Sequence, residues 1–424
     1  MVYYDFMLSE RENKIKEQVR KFVKEKIDPG LLKKMDRDEV QFPTEFLTAV
    51  AEENLLGLRF PKKWGGQGMG WTAEIAALEE IGPLGLALGC QYSMPSIVGE
   101  AFDKFGTEEQ KEKYLKPTLE ARLFSAEALT EPRGGSNFFG ATTKATKDGD
   151  DYLLTGQKRF VIGAEGADYF LVYARTGDSS TSPKDAITLF VVEKDMGVET
   201  KYLYNLLGCR GGGAGRLIFN KVRVPKENII GSEGEGGRIF YQMMIPERMT
   251  SAAGVLGLAR AALDVAGIYS AKRKQFGKHI REWQGVSFKI AESQMLLDAS
   301  RAITYMAAKA IDSGQSGGTC RRLVSEAKRF ATEKGWDIVN HAMQVCGGIG
   351  YTQIYPIERM LRDMRLSFIW TGTSEIMNLI IQHEYYKDLF EKMKSESLRD
   401  SEADAMDSGE SDEKVFTAED QRLD

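Results

Sequence analysis

The hydrophobic period of this chain changes twice along its length, and that alternation limits its fold more than any other feature. From about Leu8 to Ala121 apolar residues recur at helical spacing. Ile15, Val19, Phe22 and Val23 follow an N-cap candidate at Ser9, and residues 43–54 and 72–81 repeat the pattern. Near Phe124 the spacing shortens. Segments 152–162, 168–175, 186–193 and 215–224 are short, rich in β-branched and aromatic residues and divided by polar turns, with a hairpin signal at Lys147-Asp-Gly-Asp150. From Gly236 the helical period returns, over 249–272, 285–313, 320–346 and about 374–394. The expected fold is α+β multidomain: a helical N-terminal domain (1–121), a compact antiparallel β domain (122–235) and a helical bundle (236–394). The Ser/Asp/Glu-rich tail, 395–424, has the composition of a disordered, solubilising segment. The glycine-rich stretch Pro61–Gly70 lacks a strand-to-helix frame and a Gly-Lys-Ser/Thr sequence, so it reads as a packed connection and not a phosphate loop.

Composition narrows the function. With 42% hydrophobic and 28% charged residues, the chain has the make-up of a soluble globular protein. A net charge of −5 argues against general nucleic-acid or membrane-surface binding. Cys90, Cys209, Cys320 and Cys346 form no CxxC pair, and His279, His341 and His383 make no HExxH motif, so no metal site is expected. The same cysteine usage fits a reducing compartment. The N-terminus lacks the pattern of a signal peptide, and no apolar run reads as reaching membrane-spanning length. A cytoplasmic protein is the simplest expectation.

One stretch, Ile245–Gly257, has two readings. Pro246 is expected in the first turn of a bundle helix, where its missing N–H has no intrahelical partner. Glu247 beside it then favours the positive end of the helix dipole. Ser251, Ala252, Ala253, Gly254 and Gly257 make a face of small residues, which either lets another backbone approach closely or leaves room for a flat ligand. On this stretch alone Glu247 reads as a dipole residue, with a catalytic base as the alternative.

Four further motifs have to be explained together. They are Glu127-Ala-Leu-Thr-Glu-Pro-Arg-Gly-Gly-Ser136; Arg273-Lys-Gln-Phe-Gly-Lys278 with Gln284 downstream; Gln344-Val-Cys-Gly-Gly-Ile-Gly-Tyr351; and Tyr355–Asp363 running into Trp370-Thr-Gly-Thr-Ser-Glu-Ile376. Singly each is weak, because glycines punctuate loops and charged runs are usually solvated helix faces. In this order and spacing, over roughly residues 5–390, they resemble the acyl-CoA dehydrogenase family of flavoproteins. Phe105-Gly-Thr-Glu-Glu-Gln-Lys111, Gly156-Gln-Lys158 and Val222-Arg-Val-Pro225 agree with it. The resemblance implies an α-helical N-terminal domain, a central antiparallel β barrel and a C-terminal four-helix bundle, assembled as a homotetramer. It implies FAD as cofactor, an acyl-CoA substrate and an electron-transferring flavoprotein as electron acceptor.

By the same resemblance Leu129, Thr130, Gly135 and Ser136 lie along the isoalloxazine, and Phe160 covers its face beside Ile162. Arg273, Phe276 and Gln284, with Gln344, Gly347 and Gly348, meet the pyrophosphate and adenine across a subunit boundary. The Arg273 guanidinium suits phosphate, and the two glycines let backbone come close. Thr373 and Glu375 complete the cofactor set at a helix start. Ser136, Arg248, Trp370 and Thr371 are the residues implied on the substrate side.

Most members of the family carry the catalytic glutamate just before the Gly-Thr of the last motif, where this chain has Thr371. A minority, resembling isovaleryl-CoA and long-chain acyl-CoA dehydrogenases, have it immediately before the arginine that opens the bundle helix. Glu247-Arg248 matches that minority. The implied reaction is α,β-dehydrogenation to the 2-enoyl-CoA. Glu247 takes the α-proton, the β-hydrogen leaves as hydride to flavin N5, and the Thr371 backbone N–H polarises the thioester carbonyl. Two departures stand out. Phe160-Val161-Ile162 replaces the common Trp-Ile-Thr or Trp-Ile-Ser, so Ile162 offers the flavin no hydroxyl; and Ile245 stands where some relatives have a substrate-contacting Asp. Branched, cyclic, aromatic and straight-chain acyl groups all stay open. So do an acyl-CoA oxidase or nitroalkane oxidase-like flavoenzyme, and a catalytically silent flavin- or CoA-binding paralogue.

Overall fold

The computed structural model describes residues 5–178 and 180–395, so the tail expected to be disordered lies, apart from Ser395, outside the described residues. Helices come first: α1 (Glu10–Glu25), α2 (Pro29–Asp36), α3 (Thr44–Glu52), α4 (Trp71–Ile81), α5 (Leu86–Phe105), then the short α6 (Glu108–Gln110) and α7 (Lys116–Leu119). α1 is capped reciprocally: Ser9 Oγ accepts the Glu12 N–H at 3.4 Å, and the Glu12 carboxylate accepts the Ser9 N–H at 2.6 Å. α4 is capped from a distance, because Asp312 accepts the backbone N–H groups of Trp71 at 2.6 Å and Thr72 at 2.9 Å. The 61–70 stretch is a packed connection, in which a side chain at Gly66 would collide with the Phe60 carbonyl. α5 is buried on nearly every side, which erases the amphipathic period that would have delimited it in the sequence.

The strands follow: β1 (Ser125–Ala128), β2 (Lys144–Asp148), β3 (Asp151–Val161), β4 (Tyr169–Arg175), β5 (Ile187–Glu193), β6 (Glu199–Leu203), β7 (Gly215–Val224) and β8 (Ile229–Ile230). They pair in the order β6-β7-β3-β2-β4-β5-β8, with β1 added beside β4. The sheet is mixed and not antiparallel throughout: β1 runs parallel to β4 from Ser125↔Tyr169 to Ala128↔Val172, and β2 meets β4 in parallel at Lys144↔Arg175. Alternation along a strand cannot reveal this, since direction is set by the connection; the β2–β3 hairpin lies between β1 and β4 and provides a crossover long enough for parallel pairing. β4 is buried on both faces. Tyr169, Leu171 and Tyr173 pack toward Met94, Ile97 and Val98 of α5, while Phe170, Val172 and Ala174 enter a second core with Leu154, Phe190 and Phe219.

The remaining elements are α8 (Gly236–Lys272), a small hairpin β9 (Lys274–Gln275) and β10 (Lys278–His279), α9 (Gln284–Asp312), α10 (Gly317–Cys346), α11 (Ile357–Leu366) and α12 (Ser374–Ser395). α8 packs against α4, α5, α9 and α10 and carries the central core. It also corrects two readings of the sequence. The helix is long and apolar enough to cross a membrane, yet 72% of its most apolar window is buried inside the protein, as expected of a core helix. And it begins ten residues before Pro246, so the proline sits inside the helix and not in its first turn. There it removes one backbone hydrogen bond. Two hydroxyls of the next turn bond back to the backbone here: Thr250 Oγ1 donates to Pro246 O at 2.8 Å, and Ser251 Oγ to Glu247 O at 2.7 Å. Glu247 is thus remote from the helix N-terminus, and a dipole effect confined to the first turn no longer accounts for it.

The small-residue face of α8 meets the end of α4. A side chain on Gly82 would lie 2.5 Å from the Gly254 carbonyl oxygen, and one on Gly257 would collide with the Glu79 carbonyl. Beside this crossing, Glu80 accepts two bonds from Arg260 at 2.9 Å, while Glu79 pairs with Arg301 at 2.6 Å and Lys16 at 3.6 Å and accepts the Tyr305 hydroxyl at 3.0 Å. Gly257→Ala is expected to destabilise the protein by about 1–3 kcal/mol, the usual range for overpacking. Gly267→Ala, on the same helix with no atom within 4 Å of the added carbon, is expected to be neutral or to stabilise by up to about 1 kcal/mol. Paired thermal melts check this; equal shifts for the two variants would contradict a backbone contact at Gly257.

Candidate active site

α5, β1, the 129–136 segment, the end of β3, the first half of α8 and residues 366–376 enclose a cavity of about 610 Å³. Most residues singled out in the sequence line it: Leu129, Thr130, Gly135, Ser136, Phe160, Ile162, Glu247, Arg248, Trp370, Thr371 and Thr373. Another group does not. Arg273, Phe276, Gln284, Gln344, Gly347, Gly348 and Glu375 are exposed and line no part of the cavity of their own chain. Phe276 is 89% exposed, at the β9–β10 turn.

Buried bracing holds the walls. Glu131, from the Thr-Glu-Pro motif, pairs at 2.8 Å with Lys158, from the Gly-Gln-Lys motif, and Lys158 also donates to the Leu129 carbonyl at 3.2 Å. Burial alone would raise the Glu131 pKa. Lys158, the Thr142 N–H and the Thr143 side chain outweigh it and hold the carboxyl near 2. So two motifs that look independent in sequence are one structural unit. Asp363 does the same at the other wall, accepting the N–H groups of Leu86 at 3.2 Å and Cys209 at 2.7 Å.

The turn at 370–373 is built with care for backbone direction. Thr371 takes a φ of 53° and Phe160 a φ of 55°, left-handed conformations that side chains with a Cβ rarely adopt. Arg248 Nε donates to the Thr371 carbonyl at 3.4 Å, Lys328 Nζ to the Gly372 carbonyl at 2.7 Å, and Thr371 Oγ1 sits 3.1 Å from Ser251 Oγ. Lys328 is forced down to about 7 by burial and then by the nearby Arg248 charge. With both carbonyls engaged, the Thr371 N–H finds no acceptor among the described residues.

Opposite that turn stands Glu247. Burial raises its pKa above the ordinary carboxylate value, while the neighbouring Glu127 carboxyl and the Arg248 charge oppose the rise. Burial also lowers Arg248, to about 10. Glu127 itself went unassigned in the sequence, where it is only the first letter of a motif. The one signal was a carboxylate in the strand Ser125-Ala-Glu-Ala128, otherwise made of small residues. α5 also contributes Cys90, Ser93, Met94 and Ile97, which no motif marks.

The N-terminal, middle and C-terminal domain models of acyl-CoA dehydrogenase match residues 9–122, 126–222 and 234–386. The chain is 35% identical over 380 residues to a 3-(aryl)acrylate reductase of Clostridium sporogenes, covering 89% of this chain and 99% of that one. The butyryl-CoA dehydrogenase of Megasphaera elsdenii superposes with a TM-score of 0.85 at 30% identity, over 91% of this chain and 100% of that one. A solved structure described as the electron transferring flavoprotein of Acidaminococcus fermentans matches with a TM-score of 0.86 at 31% identity, over 90% and 99%. With three domain models matched in order and relatives covered nearly end to end, the chain belongs to the acyl-CoA dehydrogenase family.

Proposed function

We propose that this protein catalyses FAD-dependent α,β-dehydrogenation of an acyl-CoA thioester, with Glu247 as the base that takes the α-proton. The observation that carries this reading is the pairing of a half-buried carboxyl, Glu247, with a free backbone donor at Thr371 across one cavity. A thioester α-proton is weakly acidic, so both partners are needed. A base raised by burial matches the proton better, and an N–H aimed at the carbonyl oxygen stabilises enolate character as it develops. Thr371 has no carboxyl to compete for the base role.

The residues present fit FAD. Phe160 is 50% exposed at the cavity, and a Cβ at Gly135 would meet no atom within 4 Å. Arg159 Nε and Trp370 Nε1 are buried with no partner among the described residues. Leu129, Thr130, Ser136, Phe160 and Thr373 would hold the flavin end; when bound, FAD supplies the hydride acceptor. Ile162 gives it no hydroxyl. Arg273, Phe276, Gln284, Gln344, Gly347, Gly348 and Glu375, outside the cavity of their own chain, serve a neighbouring subunit in this reading, as a homotetramer would allow. Exposed Phe276, Met295, Tyr351 and Ile354 near them favour an assembled form.

An electron-transferring flavoprotein is the electron acceptor in this reading, in keeping with the description of one structural neighbour. One relative is named as a 3-(aryl)acrylate reductase, and reduction of a conjugated double bond is the proposed reaction reversed. The division at 121/122 and 235/236 follows the three functional parts, and the four unpaired cysteines favour a reducing, cytoplasmic setting.

Purified protein is expected to be yellow, with one non-covalent FAD per subunit, and Arg273→Ala is expected to weaken FAD retention and assembly together. Absorbance and sedimentation check this; a protein that stays colourless after incubation with FAD would overturn the cofactor assignment. Glu247→Gln is expected to fold and bind FAD and acyl-CoA, yet to reduce the flavin on the order of 10²–10⁴ times more slowly. Bleaching of bound FAD across an acyl-CoA panel measures it. Near-normal bleaching in that variant would rule Glu247 out as the base.

A further inference from the structure

Glu127 is a second carboxyl in the cavity, and the base reading leaves it without a task. It stands on β1, whose pairing with β4 puts it beside Leu171 in the ladder, and it faces the same space as Glu247 of α8. The Glu247 carboxyl and the Tyr173 hydroxyl of β4 both lie within reach of it. Even so, Glu127 Oε1 and Tyr173 Oη are buried without a well-aligned partner among the described residues. An apolar residue would pack there at no electrostatic cost. A carboxyl with one oxygen buried and unused beside the base therefore calls for a role.

We propose that Glu127 is a positioning residue that shares one proton with Glu247, donating a hydrogen bond that orients the base and keeps it a carboxylate. This rests on the assignment of Glu247 as base. Two carboxyls that interact across one largely apolar cavity resist ionising together, so the pair holds one negative charge at neutral pH. The surroundings decide where the proton stays. Arg248 adjoins Glu247 on α8 and favours the carboxylate there. Tyr173 from β4 and Lys158 from β3 stand around Glu127, and Cys90 from α5 stands near Glu247. The Cys90 thiol is neutral, pushed up to about 12 by burial and then by Glu247. The charge of Lys158 is already committed to Glu131 at 2.8 Å. Burial, followed by the Glu247 charge, raises Glu127 well above the ordinary carboxyl range. Glu127 thus holds the proton and donates. When Glu247 gains the substrate α-proton the pair becomes neutral, and the cavity holds no carboxylate until that proton leaves.

The test compares wild type, Glu127→Gln, Glu127→Leu and Glu247→Gln as FAD-loaded full-length proteins, measuring the rate of flavin bleaching by acyl-CoA against pH. Wild type is expected to gain rate as the pair loses its first proton and to lose rate at alkaline pH as it loses the second. The Gln amide still donates but cannot ionise, so Glu127→Gln is expected to keep the acid limb and lose the alkaline one. Glu127→Leu donates nothing, and its acid limb is expected to move up by about one to two pH units, the worth of a hydrogen bond to a charged group. A second readout needs no turnover and survives if the leucine variant fails to fold. In infrared difference spectra at neutral pH, the protonated-carboxyl stretch is expected in wild type minus Glu127→Gln, and retained in Glu247→Gln. Unmoved pH limbs in the Glu127 variants, or no such band, with Glu247→Gln inactive, would overturn this inference and leave the base assignment standing. Full bleaching by Glu247→Gln overturns the base assignment itself. A folded, FAD-bound Glu127→Gln that fails to bleach at every pH would make Glu127 the base and overturn the proton-sharing role.

Discussion

The contact between two backbones at Gly82 and Gly257 governs the rest of this molecule. α8 can run through the centre of the structure only because no side chain separates it from the end of α4. That approach brings Glu79 and Glu80 under α8 and α9, where Arg260 and Arg301 meet them. Charges buried so deeply are stabilising only if fully paired, since loss of one partner leaves an isolated ion and costs about 3–5 kcal/mol. Burial works against ionisation of Glu79, yet Arg301, Lys16 and Arg260 hold it near 2. Its contribution is present above the ordinary carboxylate pKa, near 4.5, and fades as pH falls toward 2. The ion network therefore secures the crossing through the neutral range, and the crossing in turn fixes the height at which Glu247 leaves α8.

The cavity follows from this scaffold, and its residues fall into two kinds. Some present groups to the interior: Glu247, Glu127, Phe160 and the Thr371 backbone. Others hold those groups still. Glu131 with Lys158, Lys328 with the Gly372 carbonyl, and Asp363 with two backbone donors are all buried, and each joins segments far apart in sequence. Chemistry that depends on where one N–H points and on the ionisation of one carboxyl needs such bracing, because small displacements in a dry site change both.

Much of this was legible in the sequence. The twofold change of period is met by helices, strands and helices, and the 215–224 strand and the Ser9 cap appear as read. What stayed hidden has physical causes. α5 is buried on nearly every side and shows no amphipathic face, so the sequence could point to the 91–97 segment as pocket wall but not to which of its side chains, Ser93, Met94 and Ile97, face the cavity. Pro246 carries a strong helix-start signal that tertiary packing overrides, which moved Glu247 from a helix end to a helix interior. Parallel pairing of β1 with β4 depends on chain path and not on side-chain alternation. The small-residue face divides by position: Gly257 serves backbone approach, while Ser251 and Gly254 border the cavity. Glu127 was in plain view, but a lone carboxylate in a strand acquires meaning only beside its neighbour across space.

The left-handed backbone at Thr371 carries a consequence for the evolution of this protein. Holding a β-branched residue there costs about 1–2 kcal/mol, which a glycine at the same place would recover. Selection for heat resistance alone would thus drift toward glycine at position 371. The recovered stability would come with a turn freer to wander, and with loss of the hydroxyl that meets Ser251. Thermal pressure and pressure for turnover would accordingly pull in opposite directions at a single backbone angle.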